Sequence, residues 1–564
     1  MADTISRSSP HTGTVLPQGR PFWIVDGQAY DFTEWMGLHP GGAVWFAQTE
    51  GRDISALIHT YHREPARLRN ILAKYRIEEL ADQDVQPRLV APFRLSDRNM
   101  APRPGVPTEN DVLPKLGVPP FLLPPEFNAS TDLPKLDYRD EGSLLAAIRE
   151  RVNARFTKQA LRRFDRKFDA VTWVIAAAHV AALFLLITSL IPSWAFVVTM
   201  VVTRTSLAGA GHYQLHRRWR RGHQGLALPI GKALLDINYT GTSLIGTDGH
   251  VLLHHPYLGS GADVKKTFFD GMLRLHPLLR VPGYTLHKLG IALTGLPLRA
   301  REITRFERHR PDEQGNAPFI RDPIRGDFWL VRAWMVAEFA LCLATGYIVA
   351  WLVQFVVTLW FNTFLVVASH DFEDPSSEED LAVIPEALRD DWAARQICLS
   401  YDLSVVGNRW IDLWLSAGLS PHRVHHVLPW QGSGFANLAC EDVVRETCAE
   451  VGIAWARPRS LITDRLPTVM KHYLTCPVKP SFLRMLAMPP LPPDGVQPPP
   501  PDGLQPPRPD GMQPPPPDGL QPPPPDSLAP PPPNPLSTPA RPSAWGHIGE
   551  MFRYAFEGWK GLGV

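Results

Sequence analysis

Residues 170–216 read AVTWVIAAAHVAALFLLITSLIPSWAFVVTMVVTRTSLAGAGHYQLH. A long apolar block ends here on two histidines spaced four apart. As helix, Ala170–Gly211 would run about 60 Å, twice the ~30 Å hydrocarbon thickness of a bilayer. Ile191-Pro192-Ser193 breaks it near the middle, so the block reads as two crossings at about 170–190 and 194–211. A second block, Trp329–Ser369, has the same length class and breaks at Thr345-Gly346-Tyr347, giving crossings at about 329–345 and 348–369. Arg204 leaves only Trp194–Thr203 uninterrupted in the second crossing, and Glu338 interrupts the third. A soluble helical core is the competing reading of such flawed runs.

Lys158, Arg162, Arg163, Arg166 and Lys167 precede the first block, and Arg217, Arg218, Arg220 and Arg221 follow it. Arg321, Arg325 and Arg332 precede the second, while neither internal turn carries a charge. Positive-inside logic puts the open ends on the cytosolic side.

The histidines gather at those ends. His212-Tyr-Gln-Leu-His216 closes the first block, His250-Val-Leu-Leu-His254-His255 lies in the following loop, and His422-Arg-Val-His425-His426 comes after the second block. His370 ends the second block itself. Spacings of three and four put imidazoles on one helix face, where they can converge on metal. Zinc closes its shell with three or four ligands, so this set is too large for one such ion. Two redox-active irons fit the count and would support O2 chemistry on an unactivated C–H bond.

Upstream, residues 21–82 read as a compact unit: a strand at Phe22–Val25, a turn at Asp26-Gly27, and a helical stretch at Ala66–Ala73. Within it His39-Pro40-Gly41-Gly42 follows Asp31-Phe32-Thr33-Glu34-Trp35, and His62 follows Gly51-Arg52-Asp53-Ile54. Two protein ligands would fill both axial positions of a haem iron and make an electron carrier. His59 is the rival second ligand.

Composition sets the remaining bounds. The 564 residues exceed one core, which suggests three or four units. Residues 1–20 are expected to be disordered and carry no apolar core of a cleaved signal peptide. Prolines recur through 83–137, a linker, and residues 138–485 form the membrane domain. Of the 59 prolines, 26 lie beyond residue 486, where an octapeptide repeat (487–540) returns Pro493-Asp494-Gly495 at Pro501, Pro509 and Pro517, as linker or docking ligand. Residues 543–561 then form an amphipathic helix for a membrane surface or a partner, with Trp545, Ile548, Phe552, Phe556 and Trp559 at helical spacing. A net charge of +1 gives no reason to expect nucleic acid. Five scattered cysteines, none in a C-x-x-C pair, fit a reducing compartment and leave metal binding to histidine.

The Trp23 entry strand, the Tyr30-Asp31-Phe32-Thr33 run, the His-Pro-Gly-Gly turn and the Gly-x-Asp before His62 resemble cytochrome b5. The three histidine boxes between two apolar hairpins resemble the membrane fatty acyl desaturases. The fusion is similar to front-end desaturases and to insect cytochrome b5-related proteins.

The resemblance implies an α+β haem domain followed by an all-α membrane domain of two transmembrane hairpins under a cytosolic His-rich cap. It implies haem b on His39 and His62, and two non-haem irons on His212, His216, His250, His254, His255, His370, His422, His425 and His426, with the three boxes catalytic. The implied partners are a fatty acyl lipid, O2, a lipid bilayer and an NAD(P)H-linked cytochrome b5 reductase. The protein would be multi-pass, with N-terminus, boxes and C-terminus cytosolic, in the endoplasmic reticulum or a bacterial inner membrane.

Front-end enzymes usually begin the third box with Gln where this chain has His422, so their regioselectivity does not carry over. Hydroxylation or acetylenation on the same scaffold, or a non-catalytic electron-transfer or lipid-binding role, are the rival functions. Asp248, Asp371, Glu373 and Asp374 are candidates to orient the imidazoles, with helix-end charge as the plainer reading. His179 reads as a satisfied intramembrane polar residue, and His223, His276, His287, His309, His472 and His547 as structural or solvated. Asn128-Ala129-Ser130 matches a glycosylation acceptor but falls on the expected cytosolic side.

Overall fold

The computed structural model describes residues 22–26, 28–40, 46, 49, 54–78, 136–138, 142–217, 234–240, 250–251, 254–258, 270–273, 275–308, 325–370, 383–478 and 544–559. Residues 1–20, nearly all of the linker, the octapeptide repeat, Asp248, Asp371, Glu373, Asp374, Asn128, His223 and His309 lie outside them.

The N-terminal unit is α+β. Strands Trp23–Val25 and Gln28–Tyr30 pair antiparallel, Trp23 opposite Tyr30, around a turn where Asp26 adopts φ 50°. Helices Ser55–Tyr61 and Pro65–Tyr75 follow; Pro at the first turn of the latter gives up no hydrogen bond, since that amide has no partner within a helix anyway. Trp23, Val25, Phe32, Phe46, Ile54, Ile58 and Leu68 form the core. The indole of Trp23 donates to Phe46 O at 3.0 Å, so even the core's polar atom is satisfied.

Beyond it the described chain is helical apart from one two-residue parallel strand pair, Leu403–Ser404 with Arg459–Ser460. Helix Lys158–Ile187 is capped by Thr157, whose hydroxyl accepts from Ala160 N. It turns at 188–192 into helix Ser193–Arg217. Helix Arg325–Ala344 turns at Thr345–Tyr347, with Gly346 at φ +81°, into helix Ile348–Ala368. Among the described residues, three helices are long and apolar enough to cross a membrane: Lys158–Ile187, Ser193–Arg217 and Ile348–Val367. Arg325–Ala344 falls outside that set, with Asp327, Arg332 and Glu338 spread along it. Val174, Phe184, Trp194, Val198, Val349 and Val353 face outward and exposed, an apolar surface of the kind that lipid covers.

The charges that seemed to spoil the crossings form one buried network. Arg204 donates to Glu338 and, at 2.7 Å, to Ile237 O; both charged side chains are fully buried. His179 joins them, 3.1 Å from Glu338 Oε1 and 2.9 Å from Thr203 Oγ1, the satisfied polar residue expected of it. Pairing reconciles a cation with an apolar interior, because either partner alone would carry a desolvation penalty of several kcal/mol. Arg332 corrects the topology reading: it is buried and donates to Asp236 Oδ2 at 2.9 Å, so it does not serve as a solvated flanking charge.

The amphipathic C-terminal helix also differs from expectation. Ala544–Trp559 packs along helix Pro277–Arg308 of the same chain. The His287 and Tyr554 rings stack at 4.2 Å, and His287 Nδ1 donates to Tyr554 O at 2.6 Å. The packed face is not the one that periodicity picks out: Met551, Tyr554 and Ala555 are buried, whereas Trp545, Phe552, Phe556 and Trp559 stay exposed. His276 and His547 meet across the same junction at 5.0 Å.

Two apolar cores meet at the histidines. One fills the space among the long helices and includes Leu207, Leu359 and Leu365. The other joins helices Leu144–Arg155, Trp392–Cys398, His422–Val427 and Gly434–Glu450.

Candidate metal centre and haem cleft

Helix Ser193–Arg217 runs unbroken into the first box, so His212 and His216 stand one turn apart on its last turns. Its close approach to neighbours rests on two glycines. A Cβ on Gly209 would lie 2.4 Å from Ala417 C, and one on Gly211 would lie 2.4 Å from Leu235 N. The second box is held by a bond from His255 N to His250 O at 3.2 Å, an i to i+5 closure of the wide turn that often marks functional sites. The third box is a short helix, His422–Val427.

These elements gather the nine histidines into adjoining clusters. The ligand atoms of His212, His216, His250, His255 and His425 lie within 4.8 Å of one another, as do those of His254, His370 and His426. His422 adjoins the second cluster, its ring 4.6 Å from those of His370 and His426. In the first cluster His250 Nε2 sits 2.7 Å from His212 Nε2 and 3.1 Å from both His216 Nε2 and His255 Nε2. Imidazoles bound to one ion at about 2.1 Å and at right angles would stand roughly 3 Å apart, so this spacing fits a metal.

The second cluster is oriented from behind. The Nδ1 of His370 donates to Leu399 O at 3.2 Å, that of His422 to Tyr401 O at 3.2 Å, and that of His426 to Gln396 Oε1 at 2.8 Å. A proton fixed on Nδ1 leaves the Nε2 lone pair for a metal. The buried His426 Nε2 has no hydrogen-bond partner among the described residues, which is the state expected of a ligand atom. Burial, reinforced by neighbouring imidazoles, holds His255 and His426 well below the usual histidine range, so both are neutral at pH 7. Gln396 also donates to His255 O at 2.8 Å, tying the second box to the third. Gln396 and the carbonyls of Leu399 and Tyr401 were invisible in the sequence, since any residue supplies a carbonyl and a lone Gln has no spacing to read.

In the N-terminal unit the rings of His39 and His62 face each other at 6.0 Å, with room for an iron between them. His62 Nδ1 donates to Ile58 O at 2.8 Å, and burial, then the nearby His39, pushes His62 down to about 4. His59 is engaged elsewhere, its Nε2 2.8 Å from Asp26 Oδ2. A cavity of about 500 Å³ contains both rings and is walled by Phe32, Leu57, Ile58 and Leu72, an apolar slot suited to a porphyrin.

Known proteins bear on both regions. Residues 188–457 match the family model for fatty acid desaturases, and residues 11–81 match that for cytochrome b5-like haem/steroid binding domains. The chain joins a cytochrome b5-like domain to a fatty acid desaturase domain. Over these two stretches the chain is similar to fatty acid desaturases and to cytochrome b5-like domains.

Among relatives, Delta(5) fatty acid desaturase A of Dictyostelium discoideum is 41% identical over 56 residues, 10% of this chain and 12% of that protein. A cytochrome b5-related protein of Drosophila melanogaster is 33% identical over 60 residues, 11% of this chain and 14% of its own length. Its Drosophila virilis counterpart is 35% identical over 57 residues, 10% of this chain and 39% of that protein. The matches thus span well under half of each relative. No solved structure matches the chain.

Proposed function

We propose that this fusion protein is an O2-dependent membrane fatty acyl desaturase, with His212, His216, His250, His255 and His425 holding one iron and His254, His370, His422 and His426 the other. The observation that carries this reading is the convergence of all nine imidazoles into two adjoining clusters, buried apart from the half-buried His212 and His216. Two irons would supply the oxidant that draws two hydrogens from an unactivated acyl chain with O2, and a haem b on His39 and His62 would supply electrons one at a time.

The chain's own groups prepare the site. Leu399 O, Tyr401 O and Gln396 Oε1 fix three rings in the tautomer that offers Nε2. The packed apolar core of the long helices, which includes Leu365 and Val367 a few residues before His370, would keep water from the underside of the site. His39 and His62 would both hold the haem, which would then serve electron transfer rather than O2 binding. An NAD(P)H-linked reductase would recharge it. The four long helices would form two membrane hairpins with N-terminus, boxes and C-terminus on the cytosolic side, as the basic runs flanking the first pair suggest.

Lipid profiling of a host expressing the full chain, beside a His425→Ala control, tests the proposal. The expected result is a new unsaturated acyl species, two hydrogens lighter than its precursor, in the first host alone. A species heavier by one oxygen would replace desaturation with hydroxylation. Identical profiles, or purified protein without non-haem iron, would defeat the enzymatic reading.

A further inference from the structure

Tyr61 stands where the two domains meet. It closes helix Ser55–Tyr61 and is the covalent neighbour of His62. Its ring lies nearly parallel to that of His216, 12° between planes and 6.2 Å between centroids. Edge-on, it lies 6.4 Å from His255. Its hydroxyl donates to Val251 O at 3.3 Å, within the second box. One residue therefore touches the second haem-ligand candidate through the backbone and two residues of the first metal cluster through its ring.

The arrangement is clamped around Tyr61. Arg149 donates to His59 O while stacking on the Trp430 ring at 5.2 Å. Arg63 donates to Asn153 and, at 2.6 Å, to Phe156 O. The cavity holding His39 and His62 runs on past Tyr61 to His216, and Leu161 and Trp430 of the desaturase domain form its far wall.

We propose that Tyr61 is a positioning residue for electron delivery: its ring, stacked on His216, couples the haem held by His62 to the first metal cluster. The inference rests on the function proposed above. In each transfer one electron leaves ferrous haem, which becomes ferric, and the metal cluster is reduced by one equivalent. The step needs no change in Tyr61's own oxidation state, and burial, which holds the phenol well above its usual value, keeps its proton in place. The ring, not the hydroxyl, is the working part.

The test uses the full chain loaded with haem and iron, its haem reduced stoichiometrically and mixed with O2 and acyl lipid, with reoxidation followed in the haem absorption bands. Haem content, iron content and haem reduction potential are measured alongside. Tyr61→Phe should reoxidise within about twofold of the native rate, and Tyr61→Leu about tenfold slower or more, the lower end of the loss when a group supporting a metal ligand is removed. Contents, potential and reduction by an external reductase should not change. Native-rate reoxidation in Tyr61→Leu would overturn the proposal. So would equal slowing in both variants, which would assign the effect to the hydroxyl, or loss of haem or iron from Tyr61→Leu, which would make the residue structural. Failure of the desaturase reading looks different: iron-free native protein would then reoxidise as fast as iron-loaded protein.

Discussion

His254-His255 and His425-His426 each divide between the two clusters, because successive residues on a helical turn point about 100° apart. His255 and His425 face one group of imidazoles while His254 and His426 face the other. What steadies the division is Gln396, which holds the His426 ring with its carbonyl and the His255 backbone with its amide. Gln396→Leu should lower iron affinity about tenfold while the haem spectrum stays native, read by metal titration of the purified chain.

Acidity acts at the same scale. Burial holds His62 to about 4 and His255 and His426 well below the ordinary value, whereas unfolded imidazoles titrate near 6.5. Between those values the unfolded chain binds protons that the folded chain refuses. Stability is therefore complete above about pH 6.5 and falls as pH drops toward 4. Metal-free, haem-free protein should melt at a lower temperature at about pH 5 than at about pH 7.5, and equal melting temperatures would refute the assignment. All nine imidazoles were legible in the sequence, because their chemistry is in the side chain and their spacing is helical. The groups that orient them were not, since they are mostly backbone carbonyls brought close only by folding.

Among the elements, helix Ser193–Arg217 carries the heaviest constraint, as its last turns must slide between Leu235 and Ala417 to deliver His212 and His216. Gly209→Ala would push a methyl carbon into the backbone at Ala417, where there is no flexible side chain to yield. Overpacking of this kind costs about 1–3 kcal/mol, so the variant should melt earlier and retain less iron. Unchanged melting and iron content would show that the neighbouring loop can retreat. The long helices and their turns were plain from apolar length and from Pro192 and Gly346. The docking of Ala544–Trp559 was not, because the aromatic stripe that the pattern picks out stays exposed and the packing runs through Met551, Tyr554 and Ala555 instead. The partner is His287, which has no ligand-spaced neighbour in the sequence and packs here as a structural residue.

At the scale of the molecule, a flexible linker at 83–137 would keep the haem domain at an effective concentration on the order of millimolar, so its seat on the desaturase domain need not be strong. The exposed contact of Lys158 with Glu64 suits such a seat, since solvent-facing pairs contribute little. Domain order could be read from motif order. The shared wall of the haem cleft could not, because Leu161 and Trp430 are distant in sequence from both axial histidines.

The buried network of His179, Arg204 and Glu338 has a consequence for how the protein is made. His179 and Arg204 belong to the first pair of long helices and Glu338 to the second, translated more than a hundred residues later. On the membrane reading, the first pair would enter the bilayer carrying a cation whose counter-ion has not yet been synthesised. Its release into lipid would have to wait for Glu338, which makes insertion of the two pairs a single late event. Glu338→Leu should therefore leave the first pair extractable from membranes by alkaline carbonate, and full retention of that variant would show that Arg204 inserts unaided.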